Sequence, residues 1–135
     1  MRVLVCGGRD FSDIKLFSEI LNAVDKKYPI ATIIHGAAKG ADTLAHLWGL
    51  DNHKFVWPFP ADWEKHGKSA GPIRNIEMLK ETTPDLVIAF PGGKGTQHMM
   101  DIAKEHGYMV IKVLPNGQTT VIGAGINSLD NPIHI

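Results

Sequence analysis

The sequence predicts an α/β domain: a mainly parallel five-stranded sheet with helices on both faces. Five short, nearly continuous apolar runs recur along the chain, and the intervals between them carry helical periodicity or helix-boundary residues. Glycines collect just after the first, second and fourth runs, which marks where function is expected.

The runs are Arg2–Cys6, Ala31–His35, Lys54–Trp57, Asp85–Phe90 and Met109–Val113. Unbroken Val- and Ile-rich stretches suit strands covered on both faces by crossover helices, so each is expected in the sheet's interior. Between the first two, Ile14, Phe17, Leu21 and Val24 fall at helical spacing, Ile20 widens the stripe, and Ser12 or Asp13 is available as N-cap. Further helices are expected from Ala41 to about Leu50, from about Pro72 to Glu81 and from Thr96 to His106, the last ended by Gly107. Pro84 marks the start of the fourth strand. After Leu114, Pro115-Asn116-Gly117 signals a turn, and Gln118–Ile122 has room for an extra C-terminal strand before a Gly- and Asn-containing tail. The expected organisation is one domain over 1–114, then turn, strand and tail over 115–135.

A chain of 135 residues has enough core for one domain without disulfides or metals. Hydrophobic residues at 44% and charged residues at 21% exclude disordered and fibrous classes. Lys+Arg and Asp+Glu both number 14, so no broad positive field draws the protein onto nucleic acid, and a small ligand fits better. No apolar stretch approaches the roughly 20 residues that span a bilayer, so no membrane partner is expected. The single cysteine, Cys6, has no partner for an internal disulfide, and Met1 leads directly into a strand-like run. A reducing cytosol is the expected compartment.

All three glycine clusters follow strand carboxyl ends, the edge at which open parallel sheets bind ligands. Cys6-Gly7-Gly8-Arg9-Asp10-Phe11 brings a guanidinium and a carboxylate there, Arg9 being able to clamp a phosphate or to form a local surface pair with Asp10. Cys6 reads as a small buried hydrophobe, and Phe11 either joins the ligand-binding loop or, in the surface-pair alternative, packs in the core. In His35-Gly36-Ala37-Ala38-Lys39-Gly40-Ala41-Asp42, small residues allow close backbone approach. Asp42 can bond a ribose hydroxyl, stabilise the helix dipole or fix a loop through backbone amides. Pro91-Gly92-Gly93-Lys94-Gly95-Thr96 joins the fourth strand to a helix, offering a phosphate glycine backbone and unpaired helix amides, with Thr96 as cap or anion ligand. No Walker loop and no G-x-G-x-x-G after the first strand is present.

Two further segments add side chains. Asp62 and Trp63 end a Pro- and aromatic-rich loop in which Trp63 either stacks a base or packs against the core. Gly71 and Pro72 open a helix that aims Arg74 and Asn75 at an anion, with Glu77 on the same face as Arg74. Candidate catalytic groups are Arg74, Glu77 and Asp10. No metal and no cofactor is expected, because His46, His53, His66, His98, His106 and His134 lack the short paired spacing of a zinc site. Most of these histidines are expected at the surface, and His98, two residues past the phosphate loop, faces crevice or solvent, with solvent favoured.

The ordered set GGRDF, HGAAKGAD, FPADW, GPIRN and PGGKGT resembles the YspA-like, CpYpsA-related SLOG family of Rossmann-like domains over about residues 1–114. The resemblance implies a single Rossmann-like domain binding nucleotides or their derivatives. It also implies kinship with the lysine decarboxylase-like, cytokinin-activating phosphoribohydrolases and the single-strand-DNA-binding DprA proteins. The phosphoribohydrolase signature is PGGxGTxxE with an upstream arginine, for which Arg74 is the counterpart. Its glutamate, which assists cleavage of the base–ribose bond, is replaced here by Met99. A thioether neither accepts nor donates the proton, leaving Asp10, Asp42, Asp62 or Glu77 as substitutes.

Three functions follow as expectations. The first is binding of a nucleotide-derived small molecule as a sensor, carrier or sequestering protein. The second is hydrolysis of an N-glycosidic or phosphoribosyl bond. The third is single-strand DNA binding through Lys65, Lys68 and Arg74 beside Trp63, against which zero net charge argues. A homodimer is the expected assembly, common in the resembling family, with Trp48 or Met99-Met100 as apolar contacts.

Overall fold

A computed structural model of the protein describes residues 1–122, and within them strand and helix alternate as the apolar runs require. The order is β1 (Arg2–Cys6), α1 (Ile14–Lys27), β2 (Thr32–His35), α2 (Ala41–Asp51), β3 (Phe55–Pro58), α3 (Trp63–His66), a 3-10 turn over Gly67–Ser69, α4 (Ala70–Thr82), β4 (Leu86–Ala89), α5 (Lys94–Glu105), β5 (Val110–Val113) and β6 (Thr119–Ile122).

One six-stranded sheet runs β3-β2-β1-β4-β5-β6. The first five strands are parallel, Val3 opposing both Ile33 and Leu86, and β6 pairs antiparallel to β5 with Ile111 opposite Val121. The chain steps outward from β1 to β3, then returns to β4 on the other side of β1. The helices that follow β1 and β4 therefore pack on opposite faces, and a crevice opens at the strand carboxyl ends.

Side-chain alternation fills both faces. Val3 and Val5 of β1, with Ile33, Leu86 and Ile88, lie under Phe17, Leu21 and Val24 of α1 and Ala45 and Trp48 of α2. Leu4 and Cys6, with Ile34 and Val87, lie under Met78 and Leu79 of α4 and Met99, Met100 and Ala103 of α5. Each fully buried Val, Leu or Ile contributes about 1.5–3 kcal/mol, so the two layers anchor the crevice floor far more firmly than any loop contact does. Trp48, Met99 and Met100 belong to these layers, at most 6% exposed. This corrects the expectation that they present contacts to a second protomer.

Asp13 is the N-cap of α1, its carboxylate accepting from Leu16 N at 3.0 Å. Three expectations shift. The third strand is not interior: β3 is the sheet edge, with Phe55 69% exposed. Helix α4 starts at Ala70, so Pro72 sits in its first turn, where a missing N–H leaves no intrahelical bond unmade. Helix α5 starts at Lys94 behind Gly93, and Thr96 is a first-turn residue, not the cap. The sixth strand forms as expected, turned through Gly117 at φ +88 and closing the β5 edge. The tail past Ile122, including His134, lies outside the described residues. Among those described, no helix is long and apolar enough to cross a membrane.

Candidate functional site

Three loops meet backbone to backbone at the crevice. Gly8 N donates to Pro91 O at 2.8 Å, and a Cβ at Gly8 would stand 2.9 Å from that oxygen, so only glycine lets the β1–α1 and β4–α5 loops touch. Gly40, at φ +74, brings α2 against the same loop, where Ala41 N donates to Gly8 O at 3.2 Å. Around this junction lies a cleft of ≈ 690 Å³ reaching to α4 and α5. A cleft of ≈ 550 Å³ adjoins it, with Arg9, Gly36, Trp63 and Arg74 in the wall of both.

Asp42 is 5% exposed, and its Oδ2 accepts from Gly36 N at 3.1 Å and Ala38 N at 3.2 Å. Burial raises its carboxyl above the usual range, opposed by the Ala38 and Gly36 bonds and by Arg74. Of its three candidate roles the carboxylate fills the loop-fixing one. Arg74 is also engaged internally: Nη1 donates to Gly36 O and, at 3.4 Å, to Phe59 O, while Nε donates to Asn75 Oδ1 at 3.0 Å. Burial lowers its guanidinium pKa, with Asp42 opposing. It is a strut between α4 and the loops after β2 and β3, and Nη2 alone remains for a ligand. Asn75 Nδ2 continues the chain to Gly95 O and His98 Nδ1, both at 3.2 Å, tying α4 to α5.

The N-termini of α2 and α5 differ. At α2, the protein's own groups fill the positive end: Gly8 O accepts from Ala41 N, and the first turn carries Asp42. At α5, Gly93 supplies no side-chain cap, the first turn holds no acid, and the first residue is Lys94. Thr96 is 6% exposed, and its hydroxyl has no partner among the described residues. Gly95 is not at positive φ, and a Cβ there would meet nothing within 4 Å. Gly92 is different: a Cβ would collide with Thr96 Oγ1.

Trp63 is 50% exposed, with Arg9 Cζ 5.7 Å from the ring centroid and Gly71 leaving room for the indole edge. It walls the crevice and does not pack into the core. Asp62 caps α3 through Lys65 N at 3.1 Å. That four-residue helix and the 3-10 turn after it were absent from the sequence reading, because so short a polar segment shows no apolar period. Phe11 packs on Phe90 at 5.1 Å and, with Asp10, edges a shallower ≈ 470 Å³ cleft beyond the Gly8–Pro91 contact. Asp10 is exposed, and neither it nor Glu77 forms an ion pair among the described residues. Glu77 is exposed outside all three clefts and does not meet Arg74, whose guanidinium is drawn to Gly36 and Phe59.

Two histidines depart from their expected surface positions. His98 lines the large cleft, and His46 Nδ1 lies 3.0 Å from Nε2 of buried His35. No spacing signal links residues 35 and 46, since β2 and α2 bring them together only on folding. Lys94, which the sequence placed only inside the glycine loop, and Lys68, which it offered only for DNA binding, also line the crevice. Burial pushes the Cys6 thiol far up, as befits a core residue. Among the described residues no three His, Cys, Asp or Glu side chains gather around a metal-sized position.

The chain has recognisable relatives. The Gene 61 protein of Mycobacterium phage D29 is 40% identical over 118 residues, covering 82% of this chain and 94% of that protein. No solved structure matches significantly. The profile of the YspA, cpYpsA-related SLOG family matches residues 1–66, which contain the loops after β1, β2 and β3. By this match and by its Rossmann-like sheet, the chain belongs to the YspA, cpYpsA-related SLOG family.

Proposed function

We propose that this protein binds a nucleotide or nucleotide-derived small molecule in the crevice, with a phosphate at the N-terminus of α5, as a sensor, carrier or sequestering protein. The contrast between the two helix N-termini carries the reading. That of α2 is neutralised from within, whereas that of α5 keeps free amides, a Thr96 hydroxyl facing the cleft without a bond to the described residues, and a lysine where the dipole disfavours one. An anion between the amides and Lys94 reverses that unfavourable term. Trp63 and Arg9 offer a face for the base, and SLOG membership supports a nucleotide-related ligand.

Hydrolysis is the second reading, and the carboxylates weigh against it. Met99 is 0% exposed within the core, so the position of the related hydrolases' glutamate supplies no group to the crevice. Asp42 is committed to two amides, Asp62 caps α3, Glu77 is turned away and Asp10 stands at the rim. Among the described residues no free carboxylate lies deep in the cleft to stabilise an oxocarbenium-like centre or to activate water.

Titration calorimetry against AMP, ADP, ADP-ribose and cyclic dinucleotides tests the proposal. Saturable heat with no new product on chromatography after prolonged incubation is the expected result. Free base or ribose phosphate would favour the hydrolase, and no heat from any phosphorylated nucleoside would remove the proposal.

A further inference from the structure

His35 and His46 form a pair of titratable side chains that ligand binding leaves unused. His35 ends β2 and is 3% exposed. Its Nδ1 lies 2.9 Å from Ala37 N, and its Nε2 lies 3.0 Å from Nδ1 of His46 on α2, the rings edge-to-face at 5.1 Å. A backbone amide only donates, so Nδ1 of His35 is the unprotonated acceptor. The neutral ring then carries its hydrogen on Nε2 and donates it to His46, which holds its own hydrogen on the far nitrogen. Both tautomers are fixed by one amide.

A proton added to His35 must go to Nδ1, where two N–H groups would then face each other across 2.9 Å and the bond to Ala37 is lost. That bond holds a wall of the crevice. Ala37 sits at φ +57, a left-handed conformation that an L-residue resists, between Gly36 and Ala38, whose amides are held by Asp42. The charged and titratable groups around the ring are His46 and Asp42 from α2 and Arg74 from α4, which binds Gly36 O. Burial first, then His46 and Arg74, brings the His35 pKa down to about 4.

We infer that the His35–His46 pair is a proton-operated latch on the Gly36–Ala38 wall of the crevice, closed while His35 is neutral and released when it takes a proton. What the latch regulates rests on the nucleotide-site reading; the latch itself does not. Freed of its bond, Ala37 relaxes from the left-handed region, and Gly36 and Ala38 move with it.

Nitrogen-15 NMR of the whole protein without ligand, from about pH 7.5 to about pH 3.5, tests it. At neutral pH His35 should show the Nε2–H tautomer. The Ala37 amide should shift upfield and lose about tenfold in exchange protection in step with His35 titration, while the Val87 amide in β4 stays put. His35→Asn keeps an acceptor for Ala37 and removes the proton uptake, so the Ala37 amide should become insensitive to pH. His46→Asn keeps an oxygen acceptor for Nε2 and removes the imidazole that disfavours a charged His35, so His35 titration and Ala37 release should move together to higher pH. An Nδ1–H tautomer, an Ala37 signal that ignores His35 titration, or Val87 moving in parallel would overturn the latch, as would a His46→Asn variant in which the two events separate. None of these readings uses a nucleotide, so failure of nucleotide binding is a separate result.

Discussion

Replacing Gly95 by alanine should raise stability and lower ligand affinity together. Gly95 is the second residue of α5, is not at positive φ, and has open space where a Cβ would stand. Inside the protein the methyl therefore meets no obstacle, and alanine restricts the unfolded chain. Glycine in a helix is less favourable than alanine by up to about 1 kcal/mol, so in this first turn the gain is about 0.5–1 kcal/mol. For a domain of this length that is a rise of about 2–4 °C in melting midpoint. The same methyl stands beside the α5 end of the crevice, where the proposed phosphate would need close approach to backbone amides. Losing one charge-assisted hydrogen bond costs about 1.5–3 kcal/mol, roughly ten- to hundredfold in Kd. Thermal unfolding by circular dichroism and calorimetric titration with ADP measure the two effects on one sample. A higher melting midpoint with unchanged ADP affinity would refute the phosphate position, and a lower midpoint would refute the claim that the fold itself does not require this glycine.

Other perturbations separate support from chemistry. Gly36→Ala drives a Cβ into the Arg74 guanidinium, so a loss of about 1–3 kcal/mol is expected in urea unfolding, and an unchanged midpoint would mean that Arg74 is not the strut described. Asp42→Ala leaves the Gly36 and Ala38 amides without their acceptor and should cost about 2–4 kcal/mol by the same measurement. Because His35 titrates at about 4 when folded and 6.5 otherwise, the unfolded chain takes up its proton first on acidification. That contribution is therefore complete above about pH 6.5 and is lost as pH falls towards 4. Discounted for partial solvent screening it is about 2–3 kcal/mol, isolated by comparing urea midpoints of the wild type and His35→Asn. Met99→Glu buries an unpaired carboxyl at a cost of about 3 kcal/mol or more. Scanning calorimetry should show a destabilised protein and chromatography no ribose phosphate released from AMP, and turnover by a stable variant would refute the claim that position 99 is closed to the crevice.

The fold was legible because its signals are local. Unbroken apolar strands, the Ile14–Val24 stripe and the Pro115–Gly117 turn each announce their element within a few residues. The edge position of β3 was not, because strand order is decided by crossovers, and Val56 and Trp57 read as apolar in the sequence whether one face is covered or two. Which loops line the crevice was largely legible, since glycine clusters mark strand carboxyl ends. Roles were not. Asp42 offered three roles in the sequence, and only the distances to Gly36 N and Ala38 N select one. Arg74 read as aimed at an anion because two of its three partners are backbone carbonyls, and a carbonyl has no sequence identity. The His35–His46 contact joins a strand end to the middle of a helix, a spacing that no periodicity encodes.

Zero net charge also misleads if taken as uniform neutrality. Arg9, Arg74, Lys68 and Lys94 border one cleft, while the carboxylate within it, Asp42, is turned to backbone amides and screened by Arg74. The crevice is thus a local cationic field on a neutral molecule, which attracts a small anion without spreading along a polyanion such as DNA. The same distribution bears on chemistry. A hydrolase of N-glycosidic bonds needs negative charge near the anomeric carbon, but among the described residues the cleft's carboxylate, Asp42, is spent on the backbone and position 99 is packed into the core. A site with this charge pattern suits a phosphate better than the cation that would form on cleavage, so recognition and catalysis make opposite electrostatic demands, and the proposed function asks this crevice for the first.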